Sequence, residues 1–598
     1  MKITIRIFLI FFIINASCKK GVLDKVPLDM ISDDVVWKDP ALINAYLTEC
    51  YAGTYVFTNV STDNSWDNLW KGDAGPAPMW INEVSDESRT AWLSDAYPYK
   101  SGNLKINGGL LEWWENAYKV IRKLNQFIQT VPESPLEADL KKVRIAEARF
   151  LRAYNYFEMV KRYGGIPLIT EVQDLNSPQD ILYPKRAKEQ EIYDFVLSEV
   201  NGFSNDLPET SNDLGRPTKY AALALKCRAA LYAGSIAQFG TVQLDGVVGI
   251  DASAANTYYQ EAYNAAEQII NSHVYSLYKK YPDDKVVNFR NIFLEKNNAE
   301  QILVKRHDEN NGMGNTGNGW GYDFFQCPLP NGWGSGNQNA VYLEMAEEFE
   351  YIDGRSGTLD RNVIQQGLWT TEQLWGDKDP RFFATIYTQN TTWQGSILDY
   401  HKGILKPDGT IQTDGSYNGI LANGVQNKTT GFGVMKYLDE SHGNLIGSNG
   451  DWATSSTDFI VFRLGEILLN YAEAALYLGK SDDALDAVNQ IRERAGIATL
   501  ASVDQDKIRH ERKVELAFEG HRYWDLRRWR TAVTDLSRNF SGLQYILDYT
   551  TGKYKLLIIE NVDGTVAPPA FYPQNYYLPI TLTRTGNNPN LVENPGYQ

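Results

Sequence analysis

The sequence predicts a mainly α-helical protein in which about four pairs of stacked helices carry long, mostly irregular inserted loops and a few short strands. Apolar residues recur at spacings of three and four in several stretches, which places them on one helix face. These helices are rich in Ala, as in AALALKCRAALYAG at 221–234, and small residues alternate with aromatic ones at helical spacing. This alternation is typical of helix-turn-helix repeats of the tetratricopeptide type. An irregular helical domain without a true repeat is the alternative interpretation.

The N-terminus predicts an export signal at residues 1–17. Two cations precede eight apolar residues at 7–14, too few to span a bilayer, which needs about 20. Small residues then lead directly into Cys18, so we predict cleavage before Cys18 and lipidation of its side chain. Residues 18–27 would tether the folded chain to the lipid. Ordinary secretion with an unmodified cysteine is the alternative.

Residues 28–598 are predicted to form a single domain. Its helical repeats cover about 37–272 and 463–530, and a C-terminal segment follows at 531–598. The predicted helix pairs are 37–57 with 112–130, 138–163 with 188–203, 217–238 with 256–272, and 463–479 with 481–495.

Residues typical of helix ends predict where two of these helices begin and end. Pro217 is expected to open a helix that ends near Gly234. Ser481, followed by two aspartates, is expected to open another that Gly496 closes.

Composition excludes several classes of function. A formal net charge of −16 argues against a nucleic-acid partner, since phosphate binding needs clustered Lys and Arg. Cys50, Cys227 and Cys327 are widely spaced without a CxxC, so neither a disulfide framework nor a zinc site is indicated. The GxGxxG at 312–317 is followed by residues unsuited to opening a helix, which argues against a nucleotide site. We predict no metal and no cofactor.

Two long insertions separate the helical stretches, at about 58–111 and 273–460, and a last irregular segment follows residue 530. Loops of this length inside a compact protein are usually functional or disordered. These are rich in aromatic residues, whereas disordered segments are typically poor in them. We therefore predict that the insertions bind ligand.

Four passages, in order along the chain, resemble one known family. They are Cys18 with Leu23, Asp24 and Pro27; EARFLRAYNYFEMVKRYGGIPL at 147–168; FRLGEILLNYAEAAL at 462–476 with ERKVELAFEGHRYWDLRRW at 511–529; and LPI at 578–580 with NPNLVENPGY at 588–597. Together they resemble the SusD/RagB-like outer-membrane nutrient-binding lipoproteins of Bacteroidetes.

This resemblance implies a tetratricopeptide-like scaffold whose inserted loops contact the ligand. It also implies a lipid-anchored outer-membrane protein facing the cell exterior, which binds oligosaccharide or polysaccharide without catalysis. The partner implied is a SusC-like TonB-dependent transporter that receives the glycan. Peptide uptake of the RagB type is the first alternative. A surface glycoside hydrolase is the second, and would need two carboxylates about 5–9 Å apart.

Two loop clusters offer flat aromatic faces with planar polar side chains beside them, which is what sugar binding needs. The first comprises Trp66, Trp70, Trp80, Arg89 and Trp92 with Asn82, Asp86 and Glu87, and the second comprises Trp320, Tyr322, Phe324 and Trp333 with Asn318, Asn331 and Asn337. The family's ligand contacts come from equivalent loops. The predicted ligand-binding residues are therefore Arg89, Trp92, Trp320, Tyr322, Trp333 and Trp80.

The segment 518–528 crowds Glu, His and Asp together, which invites a catalytic interpretation. A helix rich in Arg, Asp and Trp also locks itself to its neighbours through ion pairs and stacking. We therefore predict a scaffold role, with Phe518 and Trp524 buried.

Overall fold

The computed structural model describes residues 33–57, 78–90, 97–104, 111–307, 322–328, 337–419, 430–441, 455–564 and 568–597. The predicted signal, Cys18 and the tether lie outside these residues.

The scaffold consists of helices that pair as the sequence predicts. They are α1 Pro40–Gly53, α2 Trp114–Thr130, α3 Ala138–Tyr163, α4 Glu189–Phe203, α5 Lys219–Phe239, α6 Ala255–Asn271, α7 Leu464–Tyr477 and α8 Ser481–Ala495. Helix α1 packs on α2, α3 on α4, α5 on α6, and α7 on α8. Further contacts of α6 with α7 join the N-terminal pairs to the C-terminal one. The predicted mainly α, repeat-like fold is therefore confirmed.

Helix α5 runs longer than predicted. The hydroxyl of Thr218 accepts a hydrogen bond from the Ala221 amide at its start, and the helix continues to Phe239. The prediction that it ends near Gly234 was wrong. A Cβ at Gly234 would lie 2.9 Å from the ring of Tyr259 on α6, so this glycine is required for close helix packing rather than for termination.

Helix α8 begins and ends where the sequence predicts. Asp482 and Asp483 lie in its first turn, where carboxylates interact favourably with the helix dipole. Gly496 follows with a φ of 82°, a left-handed conformation that ends the helix.

The remaining helices surround this scaffold and most are short. They are α9 Gln505–Glu515, α10 Arg522–Arg528, and Asp33–Val36, Pro78–Glu83, Tyr97–Lys100, Gln179–Leu182, Lys285–Leu294, Tyr322–Gln326, Leu343–Glu348, Arg361–Gln366, Thr371–Trp375, Pro380–Thr385, Ala532–Asp535 and Leu582–Asn587.

The strands form one five-stranded sheet and several two-stranded ribbons. They are β1 Ser88–Thr90, β2 Gln301–Lys305, β3 Asn339–Val341, β4 Leu368–Trp369, β5 Ile386–Tyr387, β6 Thr392–Trp393, β7 Ser396–Ile397, β8 Ile404–Leu405, β9 Ile411–Gln412, β10 Gly433–Val434, β11 Phe459–Arg463, β12 Gly542–Asp548 and β13 Lys553–Ile559. The larger sheet has the order β4-β13-β12-β8-β9, and β1 pairs with β3 and β2 with β11.

The hairpin β12–β13 corrects the prediction of an irregular segment after residue 530. Its antiparallel register pairs Gly542 with Ile559 and Asp548 with Lys553. Buried and partly exposed residues mix along both strands. Strand β8 joins β12 from the second insertion, so that insertion packs on the C-terminal segment.

A buried cluster of charges, here called the Arg463 cluster, holds α8 and α9 to strand β11. The guanidinium of Arg463 donates to Glu300 at 2.8 Å, to Glu515 at 2.7 Å and to Glu519 at 2.8 Å. Arg494 and Arg381 also pair with Glu515. Burial alone would raise the pKa of Glu515, but the three guanidinium groups outweigh it and hold that pKa well below its usual range.

Phe518 and Trp524 are buried, as predicted. The Trp524 ring is 5% exposed and lies against the cations of Lys161 at 4.5 Å and Arg527 at 4.8 Å. The aromatic residues of this segment therefore belong to the scaffold.

The second and fourth family-like passages meet at the end of α3. A Cβ at Gly165 would lie 1.9 Å from the carbonyl oxygen of Ala187, so only glycine allows this approach. Arg186 donates to the carbonyl oxygens of Gly165 and Tyr163 and to the Asn594 side chain at 2.8 Å. The C-terminal NPGY segment is thus fixed to the glycine exit of α3.

Candidate functional site

The two insertions predicted to bind ligand meet in one place. Strand β1 from the first insertion pairs antiparallel with β3 from the second, with Ser88 opposite Val341 and Arg89 opposite Ala340. We call this pair the β1–β3 ribbon. It joins segments about 250 residues apart in sequence and supports the bases of both aromatic-rich loops.

Hydrogen bonds of buried amide side chains hold the two strands of the ribbon and the segments beside them together. Asn339 donates from its side chain to the Ser88 hydroxyl at 3.1 Å and accepts from Gln326. Its backbone N–H donates back to the Gln326 side chain at 3.2 Å. Gln338 donates to Glu83 at 2.9 Å. Because a buried amide left unpaired is costly, these reciprocal bonds specify one register for the two insertions.

The ammonium group of Lys100 binds several carbonyl oxygens of the backbone that leads into β1. It donates to the carbonyl oxygens of Glu83 at 2.9 Å and Ser88 at 2.8 Å, and lies 4.6 Å from the Tyr342 ring centroid. Burial lowers the pKa of Lys100. The side chain is therefore a structural clamp at the base of the ribbon.

Asp86 joins the ribbon to the family-like passage at 511–529, here called the signature, through two buried ion pairs. Its carboxylate accepts from Lys513 at 2.9 Å and from Arg522 at 2.8 Å. Burial by itself would raise the pKa of Asp86, but Arg522 and Lys513 reverse this and hold it well below its usual range.

Glu87 makes a second connection to the signature, and no cation among the described residues forms an ion pair with it. Its side chain accepts from the Phe518 backbone N–H at 2.8 Å and from the Ser85 hydroxyl at 3.1 Å. Burial raises the pKa of Glu87 to about 7. Two neighbouring carboxyl groups therefore have very different proton affinities.

The structure describes part of the predicted site. Arg89 is half-buried on β1, and its guanidinium donates to the Val562 carbonyl oxygen at 2.5 Å. Trp80 lies in the helix Pro78–Glu83. The predicted ligand-binding residues Trp92, Trp320 and Trp333 lie outside the described residues.

Tyr322 does not present a surface to a ligand, contrary to the expectation for an aromatic platform. Its side chain is 1% exposed and packs edge-on against Tyr437, with ring centroids 5.7 Å apart. The short helix Tyr322–Gln326 turns this ring into the core.

The polar residues interleaved with the predicted aromatic residues are also buried: Asn82, Asp86, Glu87 and Asn337. We expected planar polar groups of this kind to bind sugar hydroxyls. The described contacts of Asp86 and Glu87 go to the scaffold instead. Sequence reasoning missed Lys100, Gln326 and Asn339, and no local pattern distinguishes these buried polar residues from exposed ones.

The signature carboxylates are used in ion pairs. Glu519 pairs with Arg463 and Lys436, and Asp525 pairs with Arg512 and Arg528. Burial lowers the pKa of the neighbouring His521 to about 4. This arrangement agrees with the predicted scaffold role.

Two features are absent from the described part of the chain. Within it, no group of three or more His, Cys, Asp or Glu side chains is placed to hold a metal ion. No helix there is both long and apolar enough to cross a membrane. Cys50, Cys227 and Cys327 are buried, and burial raises the pKa of the Cys50 and Cys227 thiols to about 12.

Comparison with known proteins gives the class to which this molecule belongs. The SusD family matches residues 299–597. A second family, described as starch-binding and associating with the outer membrane, matches residues 80–231. The chain therefore belongs to the SusD family, and the predicted resemblance is confirmed.

Individual relatives align along nearly the whole chain. SusD-like protein P2 of Formosa agariphila is 23% identical over 99% of both chains. A SusD-like protein of Bacteroides fragilis superimposes with a TM-score of 0.71 at 25% identity, covering 96% of this chain and 100% of that one. A SusD-like carbohydrate-binding protein of the same species gives 0.70 at 23% identity, covering 93% and 100%.

Proposed function

We propose that this protein is a non-catalytic glycan-binding lipoprotein of the outer membrane, which captures oligosaccharide or polysaccharide and delivers it to a SusC-like TonB-dependent transporter. The observation that carries the proposal is the β1–β3 ribbon, because it joins the two aromatic-rich insertions at one site. Membership of the SusD family and the relative described as carbohydrate-binding support the ligand class.

We assign ligand contact to Arg89, Trp80, Trp92, Trp320 and Trp333. Aromatic side chains supply flat apolar faces for the C–H groups of sugars, and Arg89 supplies charge-assisted donors. Tyr322 is assigned to packing beneath the site because of its burial.

The proposal is tested by incubating the purified chain with panels of polysaccharides and peptides. Retention of a polysaccharide without new reducing ends is the expected result. Release of reducing ends would instead indicate a glycoside hydrolase. Retention of peptides alone would favour peptide uptake of the RagB type.

Trp320→Ala and Trp333→Ala test the site itself. Loss of a stacking platform is expected to weaken binding of the retained glycan by about 1–3 kcal/mol, or roughly five- to 150-fold. The melting temperature should stay nearly unchanged, because a surface platform leaves no cavity when removed. Tyr549→Ala is the matched control, since Tyr549 is an exposed aromatic residue in the turn between β12 and β13. Unchanged affinity in both tryptophan variants would contradict the assignment.

The anchor is tested by Cys18→Ala in cells that lack the transporter. We expect this variant to be expressed but to lose lipid labelling and membrane retention. If it still fractionates with membranes in those cells, the lipoprotein proposal is wrong.

A further inference from the structure

An open cleft lies between α2, the segment 167–184 and the C-terminal helix Leu582–Asn587. Its volume is about 750 Å³, within the range of about 300–1,000 Å³ found for small-molecule sites. Neither Arg89 nor Tyr322 is among its described lining residues. The cleft is therefore a different surface from the β1–β3 ribbon.

Arg584 places a buried, unpaired donor in this cleft. Its guanidinium pairs through Nη2 with Glu112 and lies 5.3 Å from the ring centroid of Trp114. The Nη1 atom is buried and has no hydrogen-bond partner among the described residues. Burial also lowers the pKa of Arg584 to about 10. Buried donors in native proteins are nearly always satisfied, so this atom indicates a missing acceptor.

The guanidinium group of Arg122 also lines this cleft and has N–H groups available for a ligand. Arg122 donates from Nη1 to the Gln173 carbonyl oxygen at 2.9 Å. Among the described residues, no carboxylate forms an ion pair with Arg122. Its other N–H groups can therefore donate to a ligand.

Flat apolar surface lies beside these donors. The rings of Trp114 and Tyr118 are neighbours, with centroids 5.4 Å apart. The Tyr118 hydroxyl donates to the Pro167 carbonyl oxygen at 2.7 Å, which fixes the ring in the wall. Thr583 and Asn587 add exposed polar side chains to the lining. Aromatic and aliphatic walls with a few polar groups match the needs of a sugar ring.

The charges of the lining are balanced. Its ionisable residues are the acids Glu112, Glu115 and Glu171 and the bases Lys119, Arg122 and Arg584. Two of the bases already pair with acids, Lys119 with Glu115 and Arg584 with Glu112. A ligand that carries a net charge would disturb this balance, so the lining favours an uncharged ligand with many acceptor oxygens.

We propose that this cleft is a second oligosaccharide site, selective for uncharged sugars and separate from the ligand-binding loops. The proposal rests on the proposed function for its ligand class. Hydroxyl and ring oxygens would accept from Arg584 Nη1 and from Arg122, with the sugar against the Trp114 and Tyr118 wall.

Hydrogen–deuterium exchange of the full chain tests this with defined probes. The neutral probes are maltotetraose, cellotetraose, laminaritetraose and mannotetraose, with tetragalacturonate as the anionic arm and tetraalanine as the peptide arm. At least one neutral probe should slow exchange at 112–122 and 581–591. This protection should persist in a Trp320→Ala/Trp333→Ala double variant.

Arg584→Lys keeps the cation opposite Glu112 but removes the second guanidinium nitrogen. It should weaken binding of the protecting probe roughly tenfold, about 1.4 kcal/mol, with an unchanged unfolding midpoint. Leu582→Ser is the matched control, because Leu582 is 72% exposed on the same helix and does not line the cleft. Its affinity should equal that of the wild type.

Three results would overturn the second site: no protection by any neutral probe, protection by tetragalacturonate or tetraalanine alone, or equal losses in Arg584→Lys and Leu582→Ser. Glycan binding that depends on Trp320 and Trp333 but not on Arg584 would also remove the cleft site, while the proposed function would stand. Binding that depends on Arg584 alone would retain the cleft and remove the loop site.

Discussion

Two buried polar regions of this protein are built from different chemistry. The Arg463 cluster opposes full charges to one another across α8, α9 and β11. The base of the β1–β3 ribbon combines the Lys100 ammonium and the Asp86 ion pairs with neutral groups. These are the amides of Gln326, Gln338 and Asn339, together with Glu87, a carboxyl group whose pKa is raised. The first region joins regular elements, and the second joins two loops to each other.

This difference in chemistry predicts how each region responds when one of its interacting groups is removed. Removing one partner from a buried ion pair leaves a buried charge without its counter-charge. Removing one amide leaves only neutral buried groups without a hydrogen-bond partner. Damage to the Arg463 cluster should therefore unfold the scaffold. Damage to the ribbon base should loosen the ligand-binding loops first.

The largest effect is expected for Arg463→Leu. Arg463 pairs with Glu300, Glu515 and Glu519, so its loss leaves buried carboxylates undercompensated. We expect destabilisation of about 5 kcal/mol, at the upper end for a broken buried pair, measured by urea unfolding. Arg355→Leu is the control, because the Arg355–Asp353 pair is exposed and should contribute under about 1 kcal/mol. Equal midpoints for the two variants would show that the cluster does not stabilise the scaffold.

Trp524→Ala should have the next largest effect, about 4 kcal/mol from lost transfer free energy and an unfilled cavity. The ring is buried and carries cations on its faces, so both packing and cation–π contacts disappear. Thermal unfolding measures the loss. A fully stable variant that no longer binds glycan would move Trp524 from the scaffold to the ligand site.

Asn339→Ala should cost less and act locally. It removes the side-chain acceptor of the Gln326 amide N–H and the side-chain donor to the Ser88 hydroxyl, at about 1–3 kcal/mol. Hydrogen exchange should accelerate at 86–90 and 339–342, with little change in the global midpoint. Asn271→Ala, at the exposed end of α6, is the control. A fall in global stability as large as that of Arg463→Leu would contradict the distinction between the two regions.

The sequence predicts the helix pairs well because their signal is local. Apolar spacing and terminal residues such as Ser481, where α8 begins, and Gly496, which follows its end, are read within a single helix. Gly234 shows the limit, since its role depends on Tyr259 of a different helix. Burial of Phe518 and Trp524 was also predictable, because the segment is crowded with paired charges and aromatic residues.

The candidate site was less predictable because its partners are distant in sequence. Lys513 lies 427 residues from Asp86, and Arg584 lies 472 residues from Glu112. A sequence pattern does not reveal whether Asp86 will meet a sugar or a lysine. The sequence around Tyr322 likewise does not indicate that its side chain is buried in the fold.

The smallest effect, per pH unit, is expected from Glu87→Gln, which tests the unusual carboxyl at the ribbon base. Burial raises the pKa of Glu87 to about 7 in the folded state, against 4.5 for a solvated glutamate side chain. Between these values the folded chain holds a proton that the unfolded chain releases, so this group lowers stability as pH rises.

Glutamine does not titrate, and its carbonyl oxygen can still accept from the Phe518 N–H. Relative to the wild type, the variant should therefore gain stability from pH 5 to pH 7, by at most about 1.4 kcal/mol for each pH unit. Urea unfolding across this pH series measures the difference, and Glu560→Gln, at an exposed position, should run parallel to the wild type. A difference between Glu87→Gln and wild type that stays constant with pH would mean that Glu87 is ionised in the fold, and the contrast between the ribbon base and the Arg463 cluster would then be one of geometry rather than of charge.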